Sequence, residues 1–129
     1  MGTLHPDQKA AVRAVAEQVI SAGRMELVDD LFTPAMARRA RRWFKPFRAA
    51  FPDVRMEVVE LVEEGETVVG RFACSATHAG PWQGHDPSGR RFEEVDEVYF
   101  FRFEDGRIAG MWGLEDTASR LRQLGLATN

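Results

Sequence analysis

The chain has 129 residues, enough for one domain (1–129) with a sizeable core and a modest cavity. Its hydrophobic share of 44%, with nine Phe and three Trp, excludes a disordered chain. A net charge of −3 is too small to imply a nucleic-acid or membrane partner, and one cysteine, Cys74, allows no intrachain disulfide. In chain order, His5-Pro6-Asp7 opens a helical pattern in which Ala11, Val15, Val19 and Ala22 form an inward stripe, stopped by Gly23. A short second helix runs from about Met25 to Phe32, with Leu27, Val28 and Leu31 on one side. Thr33-Pro34 is a cap and first-turn pair for the third.

That third segment interleaves Arg38, Arg39, Arg41, Arg42, Lys45 and Arg48 with Met36, Trp43, Phe44, Phe47 and Phe51. Three readings are open: a solvated face over the core, a nucleic-acid surface, or arginines at a pocket mouth that attract an anionic substrate. Pro46 predicts a kink or restart. After Phe51-Pro52-Asp53 the period becomes two. Val54, Met56 and Val58 alternate with Arg55 and Glu57, and Glu63-Glu64-Gly65-Glu66 turns the chain into a strand over Val68–Thr77. Phe72, Cys74, Ala76 and His78 share one face of that strand.

A long Gly- and Pro-rich loop over 77–90 follows, of a length that is usually functional or interfacial. It carries Trp82, a lid over a pocket or a contact across a dimer. His78, His85 and Asp86 do not have a spacing that converges on a metal, so no metal site is expected. The third strand, Phe92–Phe103, turns Glu97, Tyr99 and Phe101 inward if it is regular, with Phe92, Asp96 and Phe100 on the opposite face. Glu104-Asp105-Gly106-Arg107 is a tight hairpin into a fourth strand. Trp112 and Asp116 end that strand, and a last short helix is stopped by Gly125.

The hairpin, Trp112-x-x-x-Asp116 and Leu121-x-Gln-Leu-Gly-Leu126 together resemble the end of the SnoaL-like polyketide cyclases, or ester cyclases, of the nuclear transport factor 2-like superfamily. Ala50-Phe51-Pro52-Asp53, Thr77-His78-x-Gly80 and Gly84-x-x-Pro87-x-Gly89 extend the resemblance over nearly the whole chain. It implies an α+β fold, a cone-shaped, curved, mostly antiparallel (cystatin-like) sheet packed on three N-terminal helices with a short C-terminal helix. It also implies an intramolecular aldol ring closure of a polyketide ester, with an aspartate as acid and base and no metal or cofactor. Two departures stand out. Tyr99 occupies the place of an aspartate in the family's Val-Asp-x-x-Arg-Phe pattern, and the longer histidine-bearing loop between the second and third helices is missing.

Asp116 is the first catalytic candidate, with helix capping as its alternative; Tyr99 and His78 are candidate donors to an enolate oxygen. Trp112, Glu97, Phe101, Trp82, Trp43 and Phe47 are candidate substrate contacts, with core packing as the alternative for Trp112. The expected partner is a hydrophobic small molecule. A non-catalytic small-molecule binding domain and a dimeric scaffold of the same fold are the competing functions. Val59, Val69 and Phe100 on the outer sheet face predict a homodimer. The lone cysteine, with no apolar leader and no run of membrane-spanning length, predicts a cytoplasmic location.

Overall fold

A computed structural model of the protein describes residues 7–126; the expected opening at His5-Pro6 lies outside them. Helix α1, Gln8–Ala14, is capped by Asp7, whose side chain accepts from the Ala10 N–H, and it continues into a π-helical stretch, Val15–Ser21. The wider turns there bring both Val15–Ala16 and Val19–Ile20 against the core, while Ala22, expected on the inward stripe, is exposed. A single 3₁₀ turn, Met25–Leu27, leads into α2, Val28–Leu31.

Helix α3, Pro34–Ala50, starts as the sequence indicates: the Thr33 side chain accepts from the Met36 N–H and Pro34 sits in the first turn. It does not restart at Pro46 but runs through it as one continuous helix. Proline supplies no N–H, so the Arg42 carbonyl one turn back loses its helical donor. That defect falls on an exposed flank, where the carbonyl is open to solvent.

Four antiparallel strands follow in sequential order: β1 Arg55–Glu64, β2 Thr67–Thr77, β3 Arg91–Glu104 and β4 Arg107–Glu115. The β3–β4 turn uses Asp105 at φ 49° and Gly106 at φ 81°, the left-handed pair that a two-residue hairpin requires. Bulges interrupt each pairing, between Val58 and Glu60, between Cys74 and Ala76, and between Arg102 and Phe103, and they bend the sheet around the helices. The second bulge changes a face. Two residues of β2 span three of β3, with Glu94 at φ 50°, so Phe92 turns inward instead of outward. Beyond it the alternation is as the sequence predicts, with Val95, Glu97, Tyr99, Phe101 and Phe103 facing the helices. Helix α4, Thr117–Leu124, ends at Gly125 in the left-handed conformation, φ 72°.

The core lies between the concave sheet face and the helices. Val12, Val28, Phe32, Phe51, Phe72, Phe92, Phe101 and Ile108 are buried there, each contributing about 1.5–3 kcal/mol of transfer free energy. The Thr33 N–H donates to the Ile108 carbonyl at 3.0 Å, which ties the α2–α3 corner to β4. The Ala50 carbonyl accepts from the Ala79 and Gly80 N–H groups at 2.9 and 3.0 Å, which seats the long loop on the end of α3. No helix among the described residues is long and apolar enough to cross a membrane.

At Gly80 a Cβ would lie 2.3 Å from the Ala49 carbonyl oxygen, a backbone atom that cannot move aside cheaply. Gly80→Ala is therefore expected to destabilise the fold by about 1–3 kcal/mol, read as a lowered denaturation midpoint in urea.

Candidate active site

A cavity of about 470 Å³ opens between α3, the 78–90 loop and the concave face of the sheet. This is within the size range of small-molecule sites. Its inner wall is Val15, Ala16 and Ile20 from the π-helical stretch, Phe44 and Phe47 from α3, and Phe72, Tyr99 and Phe101 from the sheet. Arg42, Trp43 and Pro46 on one side and Pro81, Trp82 and Gln83 on another form the rim. Trp82 is fixed by an edge contact to Phe51 at 5.3 Å between ring centroids and by a short bridge to His85.

Polar groups enter this apolar wall at one place. Glu97 and Glu115 both line the cavity, and the Tyr99 hydroxyl lies between them, 3.1 Å from Glu97 Oε1 and 2.6 Å from Glu115 Oε2. Behind them Arg120, wholly buried, donates from Nη2 to Glu97 Oε2 and from Nη1 to Glu115 Oε1, each at 2.6 Å. Its guanidinium is covered by the rings of Phe92, Phe47 and Trp82 at 4.9, 5.6 and 5.9 Å. Tyr99 pairs in register with Gly70 on one side and Gly113 on the other, and it owes its place to Gly113. A Cβ on Gly113 would meet the Tyr99 ring at 2.1 Å.

The charges in this group oppose one another. Burial raises the Glu97 pKa, the neighbouring Glu115 carboxylate raises it further, and Arg120 pulls it back, leaving it pushed up to about 7. Burial, then Glu97 and Glu115, push the Tyr99 phenol above its usual range, so it stays a neutral donor. For Arg120, burial disfavours the cation, but Glu97 and Glu115 outweigh this and raise its pKa. The buried Cys74 thiol beside the cluster is likewise held protonated, by burial and by Glu97.

The cavity brings together six of the residues expected from the sequence, Glu97, Tyr99, Phe101, Trp82, Trp43 and Phe47. Three lie elsewhere. Asp116 is exposed and caps α4, its Oδ1 accepting the Ser119 N–H at 3.0 Å, so capping is the role the structure gives it. Trp112 is 61% exposed on the convex face, neither core nor substrate wall. The reason is parity: Met111, Gly113 and Glu115 of β4 face the cavity, and Trp112, Leu114 and Asp116 face away. His78 is buried outside the cavity lining, where its Nδ1 accepts from the Ser88 N–H at 3.1 Å and meets the Ser88 hydroxyl at 3.0 Å. It holds the loop closed, and its Nε2 has no hydrogen-bond partner among the described residues. Sequence reasoning missed Glu115 and Arg120. The signal for Arg120 was available: it shares the buried face of α4 with Leu124, four residues on.

The SnoaL-like polyketide cyclase profile matches residues 9–124. The chain belongs to the SnoaL-like polyketide cyclase family. Among relatives, it is 34% identical over 79 residues to the nogalonic acid methyl ester cyclase of Streptomyces nogalater, a match spanning 60% of this chain and 58% of that one. Among solved structures, TsrD from Streptomyces laurentii is 28% identical with a TM-score of 0.76, over 92% of this chain and 98% of that one. AclR from Streptomyces galilaeus reaches a TM-score of 0.83 at 21% identity, over 97% and 85% of the two chains, a likeness of fold alone. This SnoaL-like chain thus has the family's cone-shaped α+β architecture, with its curved sheet and short last helix.

No three His, Cys, Asp or Glu side chains converge on a possible metal position among the described residues. Since Asp116 acts on the backbone of α4 and not on the cavity, Asp116→Ala is expected to cost about 1 kcal/mol of stability. Binding of any cavity ligand should be unchanged, as thermal melts with and without that ligand will show.

Proposed function

We propose that this SnoaL-like protein is a cofactor-free acid–base enzyme that closes a ring in a hydrophobic, polyketide-like ester by an intramolecular aldol step. The observation that carries the reading is Glu97: a buried carboxyl on the wall of an apolar cavity, poised near pH 7 and hydrogen-bonded to a phenol. A base matched to neutral pH is what removal of a proton from a carbon flanked by two carbonyls needs. Glu97 takes that proton; the Tyr99 hydroxyl turns to the enolate oxygen and hydrogen-bonds it. The enolate carbon then adds to a ketone carbonyl of the same molecule, forming the new carbon–carbon bond. The resulting alkoxide recovers the proton from Glu97, so the carboxylate is regenerated. Trp82, Trp43, Phe47 and Phe101 exclude water and hold the chain folded for attack. Glu97 thus takes the part first expected of Asp116, and Arg120 fixes its orientation.

Nogalonic acid methyl ester, the compound in the relative's name, is the first substrate to try. Turnover is expected to rise with pH through about 7 as Glu97 ionises, and Glu97→Gln should lower it by about 10²–10⁴-fold. Undiminished turnover by Glu97→Gln would remove this assignment. The same group leaves a mark on stability. Its folded pKa is raised, so its contribution is complete below about 4.3, the reference carboxyl value, and is lost as pH rises to about 7. The melting temperature of the wild type should fall relative to Glu97→Gln across that window.

The convex sheet face supports a homodimer. Val62, Val69, Phe100 and Trp112 stand in cross-strand register across all four strands, and Val98 pairs with Leu114 in the adjoining row. Phe100 and Trp112 stack edge to face at 5.8 Å, and both are exposed. A second copy related by a twofold axis would bury this stripe against itself. Sedimentation at micromolar concentration should give a dimer for the wild type and a monomer for Trp112→Glu; a wild-type monomer overturns the pairing.

A further inference from the structure

Glu97 sits where solvent barely reaches. It is 2% exposed, and both of its oxygens are engaged: Oε2 accepts from Arg120 Nη2 at 2.6 Å, and Oε1 lies 3.1 Å from the Tyr99 hydroxyl. A base in that position needs a path along which its proton leaves and returns. The neighbouring groups differ in what they can carry. A guanidinium has donors and no acceptor, so Arg120 can hold the carboxyl but cannot take a proton from it. The Cys74 thiol is wholly buried and held protonated. The Tyr99 phenol both donates and accepts.

Two contacts meet at the Tyr99 oxygen, 3.1 Å from Glu97 Oε1 and 2.6 Å from Glu115 Oε2, and the phenol has a single hydrogen for both. Arg120 adds none to either, because its donors go to the opposite oxygens, Glu97 Oε2 and Glu115 Oε1. The shorter contact has the length of a hydroxyl donating to a carboxylate, so the phenol hydrogen belongs there. The longer one needs a hydrogen from Glu97, whose pKa burial and the Glu115 charge push up to about 7; below that pH it has one to give. The resulting chain has one direction, from the Glu97 carboxyl to the Tyr99 oxygen and from the Tyr99 hydroxyl to Glu115. Its inner end is buried, and the side chain at its outer end is 35% exposed.

We propose that Tyr99 and Glu115 form a proton relay that loads and unloads Glu97 from solvent, with Glu115 as its outer terminus. In the unloading direction the Glu97 O–H bond breaks as a new O–H bond forms on Tyr99. The phenol's own hydrogen passes to Glu115, which releases it to water. Tyr99 is a neutral phenol before and after, so the transfer avoids the tyrosinate that burial and the two carboxylates disfavour. The inference rests on Glu97 being the base of this cavity and adds the route by which that base stays in equilibrium with solvent. A ketone is a weaker acceptor than a carboxylate, so the phenol stays on Glu115 until charge develops on the ligand oxygen, and turns to it only then.

Carbon-13 NMR of the ligand-free protein, with the glutamate side-chain carboxyls labelled and Glu97 assigned by its loss in Glu97→Gln, reads the relay without any turnover. Each protein is held at the midpoint of its own Glu97 titration, because removing the Glu115 charge lowers that midpoint. In the wild type the Glu97 carboxyl should give one averaged line, the sign of rapid proton exchange. Glu115→Gln, which keeps the size of the side chain but takes up no proton, should split it into separate protonated and ionised lines. Tyr99→Phe leaves both carboxylates on Arg120 and should do the same, so the result does not hang on one variant folding. An averaged line in either variant shows a second path for the proton and overturns the proposal, as do two lines in the wild type. Those results leave Glu97 as the base, whereas a Glu97 carboxyl that does not titrate removes base and relay together.

Discussion

A fully buried guanidinium is the constraint around which this molecule is arranged. Arg120 has no exposed surface, and a lone charge in that position would cost several kcal/mol. It is tolerated because two carboxylates from two strands meet it at 2.6 Å and three aromatic rings cover its faces. Each partner comes from a different part of the chain: Glu97 from β3, Glu115 from the end of β4, Phe47 from α3 and Trp82 from the long loop. The last helix is thereby locked to the sheet by electrostatics as much as by packing, and breaking one pair of this kind typically costs 3–5 kcal/mol.

The same arrangement sets the electrostatics of the cavity wall. Two carboxylates against one cation leave an excess negative charge beside an apolar cavity; Glu115 stays partly in solvent, and burial falls on Glu97, whose pKa is pushed up to about 7. The burial that makes Arg120 a strut also raises the pKa of Glu97. Tyr99, its ring lying over Gly113, joins the carboxylates without adding charge.

Much of the fold was legible because its signals are local. The Thr33-Pro34 cap, the Asp105-Gly106 turn and Gly125 act through backbone geometry within a few residues, and the structure uses each as expected. The inward set Glu97, Tyr99 and Phe101 followed from strand alternation. What failed was non-local or a matter of parity. Phe92 changed sides because of a bulge, which depends on the partner strand, and Ala22 moved outward because the helix widened. The spacing of Trp112 and Asp116 drew attention to the outward face of β4, and Glu115 between them was the residue pointing in. Arg120 was hidden by habit: an arginine is usually read as solvated, and only its companion Leu124 showed that it lies on a buried face.

The π-helical stretch over Val15–Ser21 sets the bore of the cavity on the side opposite the sheet. A turn of this kind amounts to one extra residue in an otherwise ordinary helix, accommodated without a break in the chain path. Its neighbours are anchored on both sides, α1 by the Gln8 contacts to Glu63 and Gly65, and the far end by Ser21 to Met56. The wall can thus lose or gain a residue between fixed ends. The cavity's shape in such a scaffold is open to change by insertion and deletion, a route that leaves Glu97, Tyr99 and Glu115 of the sheet untouched.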